Sequence, residues 1–259
     1  MAQAARTARV VVMDWDETIT KRDTTALVAQ TAYRCKSGLT DFSHYTKIYM
    51  DAYNMYSAKW SERNNLEQET EFQRGLKEVE MASISAIERD GVFKGVTRAD
   101  FAESANAVEI QPGFVEFVKK IQNESPMYIL SVNWSRTLIE AALQRAGVTG
   151  ITVLANELEF HGNVSTGHFG SDMDIRTGCD KIVELRKIKE KHGSSVIYVG
   201  DSSGDVLPII EADTGVVIEG GRATKYIEAL GYTVGNTENK TGIVPGIYGA
   251  SWKQLLHLW

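Results

Sequence analysis

Two pairs of aspartates stand where chemistry is expected. Asp14-Trp15-Asp16-Glu17-Thr18 follows the apolar run Val10-Val11-Val12-Met13, and Gly200-Asp201-Ser202-Ser203-Gly204-Asp205 follows Val196-Ile197-Tyr198-Val199. Carboxylates crowded two or four positions apart repel one another unless a cation offsets the charge. Mg²⁺ fits that need, because its protein ligands are hard carboxylate and carbonyl oxygens. A lone Asp-x-Asp is equally a loop whose acids cap the next helix. Two such clusters, each directly after a buried-strand pattern, favour one shared site. If the two strands are neighbours, their carboxyl ends bring four carboxylates to a single ligand crevice.

That crevice has candidates for holding an anion. Ser131 ends the run Met127-Tyr128-Ile129-Leu130 and offers a hydroxyl, with Val132, Asn133 and Trp134 just beyond it. Lys181 opens a helical pattern ahead of the second acidic strand. Its ammonium suits both a phosphate and the charge of a neighbouring carboxylate.

The elements that must position these groups are legible as an alternation. Short apolar runs recur at Val10–Met13, Met127–Leu130, Ile151–Leu154, Val196–Val199 and Gly215–Ile218, as expected of parallel strands buried on both faces. Helical patterns lie between, including Thr137–Ala146 closing on Gly147 and Asp180–His192 closing on Gly193. The fold class is therefore α/β, a doubly wound, Rossmann-like parallel sheet. Residues 24–106 break the alternation with helical patterns alone. Tyr45, Ile48, Tyr49, Ala52, Tyr53 and Tyr56 fall on one stripe, and Glu62–Arg89 presents Phe72, Leu76 and Val79 inward. This block reads as an α-helical cap inserted into a core of residues 1–23 and 107–259, with Pro112-Gly113 marking the return. Glu157–His168 reads as a β-hairpin around His161-Gly162-Asn163, and Ser251–Trp259 as a short amphipathic helix on the core.

Bulk properties exclude several classes. The net charge of the 259 residues is −6, with scattered basic residues, which argues against nucleic acid and against anionic membranes. No apolar run is long enough to span a bilayer. Met1–Arg9 reads as neither a secretory signal nor an anchor, so a cytoplasmic setting is expected. Cys35 and Cys179 are expected to be free thiols.

The order Asp14-x-Asp16-x-Thr18, Ser131, Lys181 and Gly200-Asp201-x-x-x-Asp205 resembles the four motifs of the haloacid dehalogenase superfamily. The helical block after the first motif resembles the cap of its phosphoserine-phosphatase-like branch. The resemblance implies a Mg²⁺-dependent phosphomonoesterase acting on a small phosphate ester. Asp14 would be the nucleophile that forms an aspartyl-phosphate, and Asp16 the general acid and base. It also implies phosphate contacts from Thr18, Ser131, Val132, Asn133 and Lys181. The metal would be held by Asp14, the Asp16 backbone carbonyl and Asp201, with Asp205 close by. The dehalogenase branch lacks the second aspartate and the ion-pumping branch replaces it with threonine, so Asp16 points to alcohol leaving groups.

The second half of the chain, notably Leu130–Ser135, Ala155-Asn156-Glu157 and Tyr198–Ile218, is similar to the phosphatase domain of plant thiamin monophosphate phosphatases. Thiamin monophosphate is thus the first candidate substrate. Phosphoserine, phosphocholine and methionine-salvage intermediates are alternatives, as is a catalytically idle phosphometabolite-binding protein. Asp23 would face an amine or a thiazolium cation, or cap the following helix. Tyr45 and Tyr49 would stack on a substrate or, more simply, form cap core. Asn133 and Trp134 are expected to reach the leaving group, and Ser202 joins the candidates for specificity.

Overall fold

The computed structural model describes residues 9–259 except 239 and 241. The reading of the amino-terminal segment therefore falls outside the described residues up to Arg9. In chain order the elements begin with β1 (Arg9–Met13), α1 (Thr25–Cys35), α2 (Ser43–Ser57), α3 (Leu66–Arg89) and α4 (Arg98–Ser104). They continue with α5 (Phe114–Ile121), β2 (Met127–Ser131), α6 (Arg136–Arg145), β3 (Ile151–Ala155), β4 (Leu158–His161) and β5 (Val164–Phe169). The remainder are α7 (Gly178–His192), β6 (Ser195–Gly200), α8 (Val206–Glu211), β7 (Thr214–Ile218), α9 (Ala223–Ala229), β8 (Gly246–Ala250) and α10 (Trp252–Leu258).

Six strands form one sheet in the order β3-β2-β1-β6-β7-β8, and every pairing in it is parallel. The fold is thus the doubly wound α/β class expected. The chain winds outward from β1 to β3 on one side and from β6 to β8 on the other. The switch point where ligands bind in such sheets falls between β1 and β6, whose carboxyl ends carry the two acidic loops.

Alternation along β1 explains why its residues are apolar throughout. Val11 and Met13 enter the cluster containing Phe117, Leu138 and Trp252. Val10 and Val12 enter the opposite cluster with Leu185, Ile209 and Ile227. Buried on both faces, the strand has no polar side. Trp252 packs edge-on against Phe114, and its indole N–H donates to the Thr18 carbonyl at 2.9 Å. The carboxyl-terminal helix thus braces the loop after β1 from beneath.

Residues 24–106 hold only helices and a single 3₁₀ turn. Their apolar residues do not form an isolated core. Val28, Ile87, Phe93 and Phe101 belong to the same cluster as Val11 and Phe117. The β4–β5 hairpin joins this block through Gly95 N–H to the Ser165 carbonyl and Ser165 N–H to the Val96 carbonyl, both 2.9 Å. Helix α3 begins at Leu66 rather than Glu62 because Asn65 caps it, accepting the Gln68 N–H at 2.9 Å.

Two elements escape the sequence pattern. β8, Gly-Ile-Tyr-Gly-Ala, is a half-exposed edge strand with two glycines, so it lacks the apolar run of a central strand. Helix α9 is only two turns long. The free thiols are as expected. Among the described residues no helix is long and apolar enough to cross a membrane.

Gly200 ends β6 where the chain turns into the second acidic loop. A Cβ there would lie 2.5 Å from both Cβ and Cγ of Asp205. Gly200→Ala is therefore expected to destabilise the protein by about 1–3 kcal/mol through overpacking. Urea unfolding checks this; an unchanged midpoint contradicts the packing described.

Candidate active site

Asp14 follows β1 directly, and its backbone N–H donates to the Val199 carbonyl at 2.8 Å. This places the carboxylate at the β1–β6 junction, where it is almost fully buried. Lys181 comes from the first turn of α7, a helix started by Thr177 and Asp180. The Asp180 carboxylate accepts the Arg176 and Thr177 N–H groups at 2.9 and 3.0 Å. From there the buried ammonium reaches Asp14 Oδ1 at 2.6 Å and Asp205 Oδ1 at 2.7 Å.

Asp205 is saturated with donors. Its Oδ1 also accepts the Tyr198 hydroxyl at 2.7 Å. Its Oδ2 accepts the Asp201 and Ser202 N–H groups and the Ser202 hydroxyl at 3.0–3.2 Å. Burial alone would raise its pKa, but Lys181 and these donors hold it below the ordinary carboxylate range. Asp14 goes the other way, well above that range, because burial and the Asp205 charge outweigh Lys181. Asp201 is pushed up to about 7, first by burial and then by Asp205. Lys181 itself is raised: burial opposes its charge, but the two aspartates override that penalty.

Three buried carboxylates thus face one ammonium. One oxygen from each of Asp14, Asp201 and Asp205 lies within 4.8 Å of the others. Hard donors, close spacing and uncompensated negative charge fit a small divalent cation. Thr18, fully buried, spans the pair, its hydroxyl 3.4 Å from Asp14 Oδ2 and 3.3 Å from Asp201 Oδ1. Between these residues the backbone turns through Glu17 at φ 57°, a left-handed conformation that a glutamate adopts only at a cost. Glu17 is held there by Arg222, whose Nη2 is 2.6 Å from Glu17 Oε2 and 3.5 Å from Asp201 Oδ2.

Asp16 points away from that cluster. Its Oδ1 accepts the Thr24 N–H and hydroxyl at 2.7 and 2.6 Å, and its Oδ2 accepts Asn133 Nδ2 at 2.8 Å. Thr24 Oγ1 in turn accepts the Trp15 indole N–H and Asn133 Nδ2, each at 3.0 Å. Burial and the charge of Asp23 raise Asp16 to about 6, against the pull of Asn133 and Thr24.

The remaining candidates divide. Asn133 is completely buried, and its side chain bonds Asp16, Thr24 and the Ser135 N–H. Ser131 is equally buried, its hydroxyl accepting the Asn133 N–H at 3.0 Å. Asp23 is exposed, accepts the Thr25 N–H at 2.7 Å at the start of α1, and also lines the cleft. Ser202 lies in the loop wall beside Asp201. The tyrosine stripe splits: Tyr45 is buried with its hydroxyl on Asp90 Oδ2 at 3.0 Å, and Tyr56 packs on Phe72. Tyr49 and Tyr53 stack on each other and line the cleft. Trp134 lines the aromatic part.

Four contributors were missed from sequence. Thr24 and Tyr198 were visible only as a helix start and a strand residue. Arg222 follows β7 in the same crevice, and a basic residue just past a buried strand was a usable signal. Gln73 of α3 gave none, yet its Nε2 donates to the Ser203 carbonyl at 3.0 Å and ties α3 to the second acidic loop.

By fold, and by the position of its acidic loops at the switch point, the chain is a doubly wound α/β protein with its site at the carboxyl edge of the sheet. The model of haloacid dehalogenase-like hydrolases matches residues 11–207, and the chain belongs to that family. It is 26% identical to Cold tolerance protein 1 of Saccharomyces cerevisiae, over 95% of this chain and 90% of that protein. It is also 26% identical to the mitochondrial Bifunctional TH2 protein of Arabidopsis thaliana, over 59% of this chain but 26% of that longer protein. Among solved structures, a substrate-bound phosphoserine phosphatase shares the fold at TM-score 0.56 and 15% identity, covering 86% of this chain and 91% of that one. A hydrolase of the same family from Salmonella enterica matches at TM-score 0.57 and 16% identity, covering 82% of this chain and 63% of that one.

Removing Lys181 takes the shared cation from Asp14 and Asp205 and leaves the buried carboxylate cluster without it. Lys181→Met is expected to destabilise the protein by about 3–5 kcal/mol, with added Mg²⁺ recovering part of the loss. Thermal unfolding with and without the ion checks this; an unaltered melting temperature contradicts the electrostatics described.

Proposed function

We propose that the chain is a Mg²⁺-dependent phosphomonoesterase that works through an aspartyl-phosphate on Asp14. The observation that carries the reading is the buried Asp14 carboxylate held 2.6 Å from the Lys181 ammonium while a cavity opens beside it. Asp14, the Asp16 backbone carbonyl and Asp201 would hold the ion, and Asp205 braces Lys181 and the loop. When bound, Mg²⁺ supplies positive charge to the phosphate oxygens.

The chain's own residues do the rest. Lys181 fixes the Asp14 oxygen, limits its motion and offsets negative charge as a phosphate approaches. Asp14 displaces the alcohol from phosphorus, so the ester P–O bond breaks as the Asp14–phosphorus bond forms. Asp16, protonated, gives its proton to the departing alkoxide, then takes one from the water that releases phosphate. Thr24 and Asn133 aim its carboxyl group. Thr18 orients Asp14, Val132 lines the cleft, and Ser131 holds the turn after β2 by accepting the Asn133 N–H. Residues 24–106 act as a cap over this site.

Thiamin monophosphate is the first candidate substrate, supported by the resemblance of residues 130–218 to plant thiamin monophosphate phosphatases. Phosphoserine and phosphocholine come next. A panel of these esters ranks them; if thiamin monophosphate turns over no faster than a generic ester, the narrower claim fails.

Asp14→Asn is expected to lower hydrolysis of p-nitrophenyl phosphate on the order of 10³-fold or more. Chelation should abolish wild-type activity and Mg²⁺ should restore it. Full Mg²⁺-dependent activity in the variant contradicts the nucleophile. A pH prediction follows from Asp23. Asp16 must be protonated for the first step, so kcat/KM for an alkyl phosphate falls as pH rises through its pKa of about 6. Asp23→Asn removes a charge that raises that pKa, so the falling limb should move to lower pH. A limb that stays in place contradicts the role of Asp16.

A further inference from the structure

The cleft is two joined cavities of about 360 and 420 Å³. The first contains Asp14, Asp16, Lys181 and Asp201. The second runs under α2 and α3 and ends on Phe42, Tyr45, Ile87 and Trp134. Asp23, Tyr49, Glu80 and Arg176 line both, so they stand at the neck between an acidic end and an aromatic end.

Two of these neck residues are not explained by the fold. Glu80 of α3 points its carboxyl group at the Tyr49 hydroxyl, which donates to it. Burial pushes the Glu80 carboxyl up to about 7 against the pull of Tyr49 and Arg176. Arg176 is 6% exposed. Its Nε donates to Asp174 Oδ1 at 2.9 Å, and its guanidinium lies 4.7 Å from the Phe169 ring centre. Its Nη1 is buried with no hydrogen-bond partner, the one such side-chain atom found among the described residues. A buried donor left unpaired is costly, and a ligand acceptor would relieve that cost.

We propose that Glu80 and Arg176 select the leaving alcohol, and that this alcohol carries a positively charged, planar nitrogen heterocycle. The inference rests on the phosphatase reading for the position of the phosphate. With the phosphate beside Asp14, the alcohol crosses the neck and places its ring between Tyr49 and Trp134. Stacking on aromatic faces favours a flat cation there. Asp23 supplies negative charge, a cation beside Glu80 favours the ionised form of its carboxyl group, and Arg176 meets an acceptor nitrogen on an uncharged ring carried beside the cationic one. A small zwitterion such as serine would leave the aromatic end empty. A compact ammonium such as choline would leave Arg176 without its acceptor.

The test is calorimetric binding of the free alcohols thiamin, choline and serine to the full chain, which needs no turnover. Thiamin should bind, and choline and serine should bind at least about tenfold more weakly. Glu80→Gln and Arg176→Gln should each weaken thiamin about tenfold. Should either variant fail to fold, Tyr49→Phe takes its place, because it removes only the hydroxyl that holds Glu80. Absence of thiamin binding overturns the proposal, as does binding unchanged in the folded variants, or choline or serine binding as tightly. Asp14-dependent hydrolysis without thiamin binding refutes this inference alone. Thiamin binding with hydrolysis that survives Asp14→Asn refutes the phosphatase mechanism alone.

Discussion

Lys181 sits within 2.7 Å of Asp14 and Asp205, in a place water scarcely reaches. One ammonium cannot neutralise three aspartates, and most of the local architecture answers that imbalance. Asp205 resolves it with donors from Tyr198, Ser202 and the loop backbone. Asp14 and Asp201 are left short, and burial drives both upward. The deficit is what makes the site receptive to a cation, and it leaves the Asp14 oxygen oriented but incompletely satisfied.

The sheet makes that crowding possible. Asp14 and Asp201 follow adjacent strands at the point where winding reverses, so the crossovers on the two sides diverge and leave a crevice between them. Apolar residues on both faces of β1 fix its depth, and Trp252 fixes the loop beyond it through the Thr18 carbonyl. Helix α3 is tied to this edge of the sheet by Gln73 on the Ser203 carbonyl and Lys77 on Asp180, each at 3.0 Å. The sheet positions the carboxylates, while α2 and α3 supply much of the remaining cleft wall.

The sheet was readable from sequence because parallel strands buried on both sides leave unbroken apolar runs. Three of the five runs lead into polar residues at the same sheet edge, Asp14, Ser131 and, after Gly200, Asp201. The strand β8 escaped because an edge strand needs no such run. The role of Asn133 escaped for a different reason: its partner Asp16 lies 117 positions away, and only the pairing of β1 with β2 brings them together. Tyr45 and Tyr49 share a helical stripe and both line the aromatic cavity, yet only Tyr49 also lines the acidic one, while Tyr45 is buried with its hydroxyl on Asp90. Four positions along a helix cannot say which neighbour each will meet. The insertion's chemistry, Glu80 above all, depends on helix packing that no local spacing encodes.

Covalent capture tests the central claim most directly. Enzyme mixed with a turning-over phosphate ester and quenched in acid within the first turnover should carry phosphate on one peptide. That peptide should contain Asp14, the label should be lost to hydroxylamine, and Asp14→Asn should carry none. Phosphate on another residue, or hydrolysis with no phosphorylated protein at any quench time, would contradict the account.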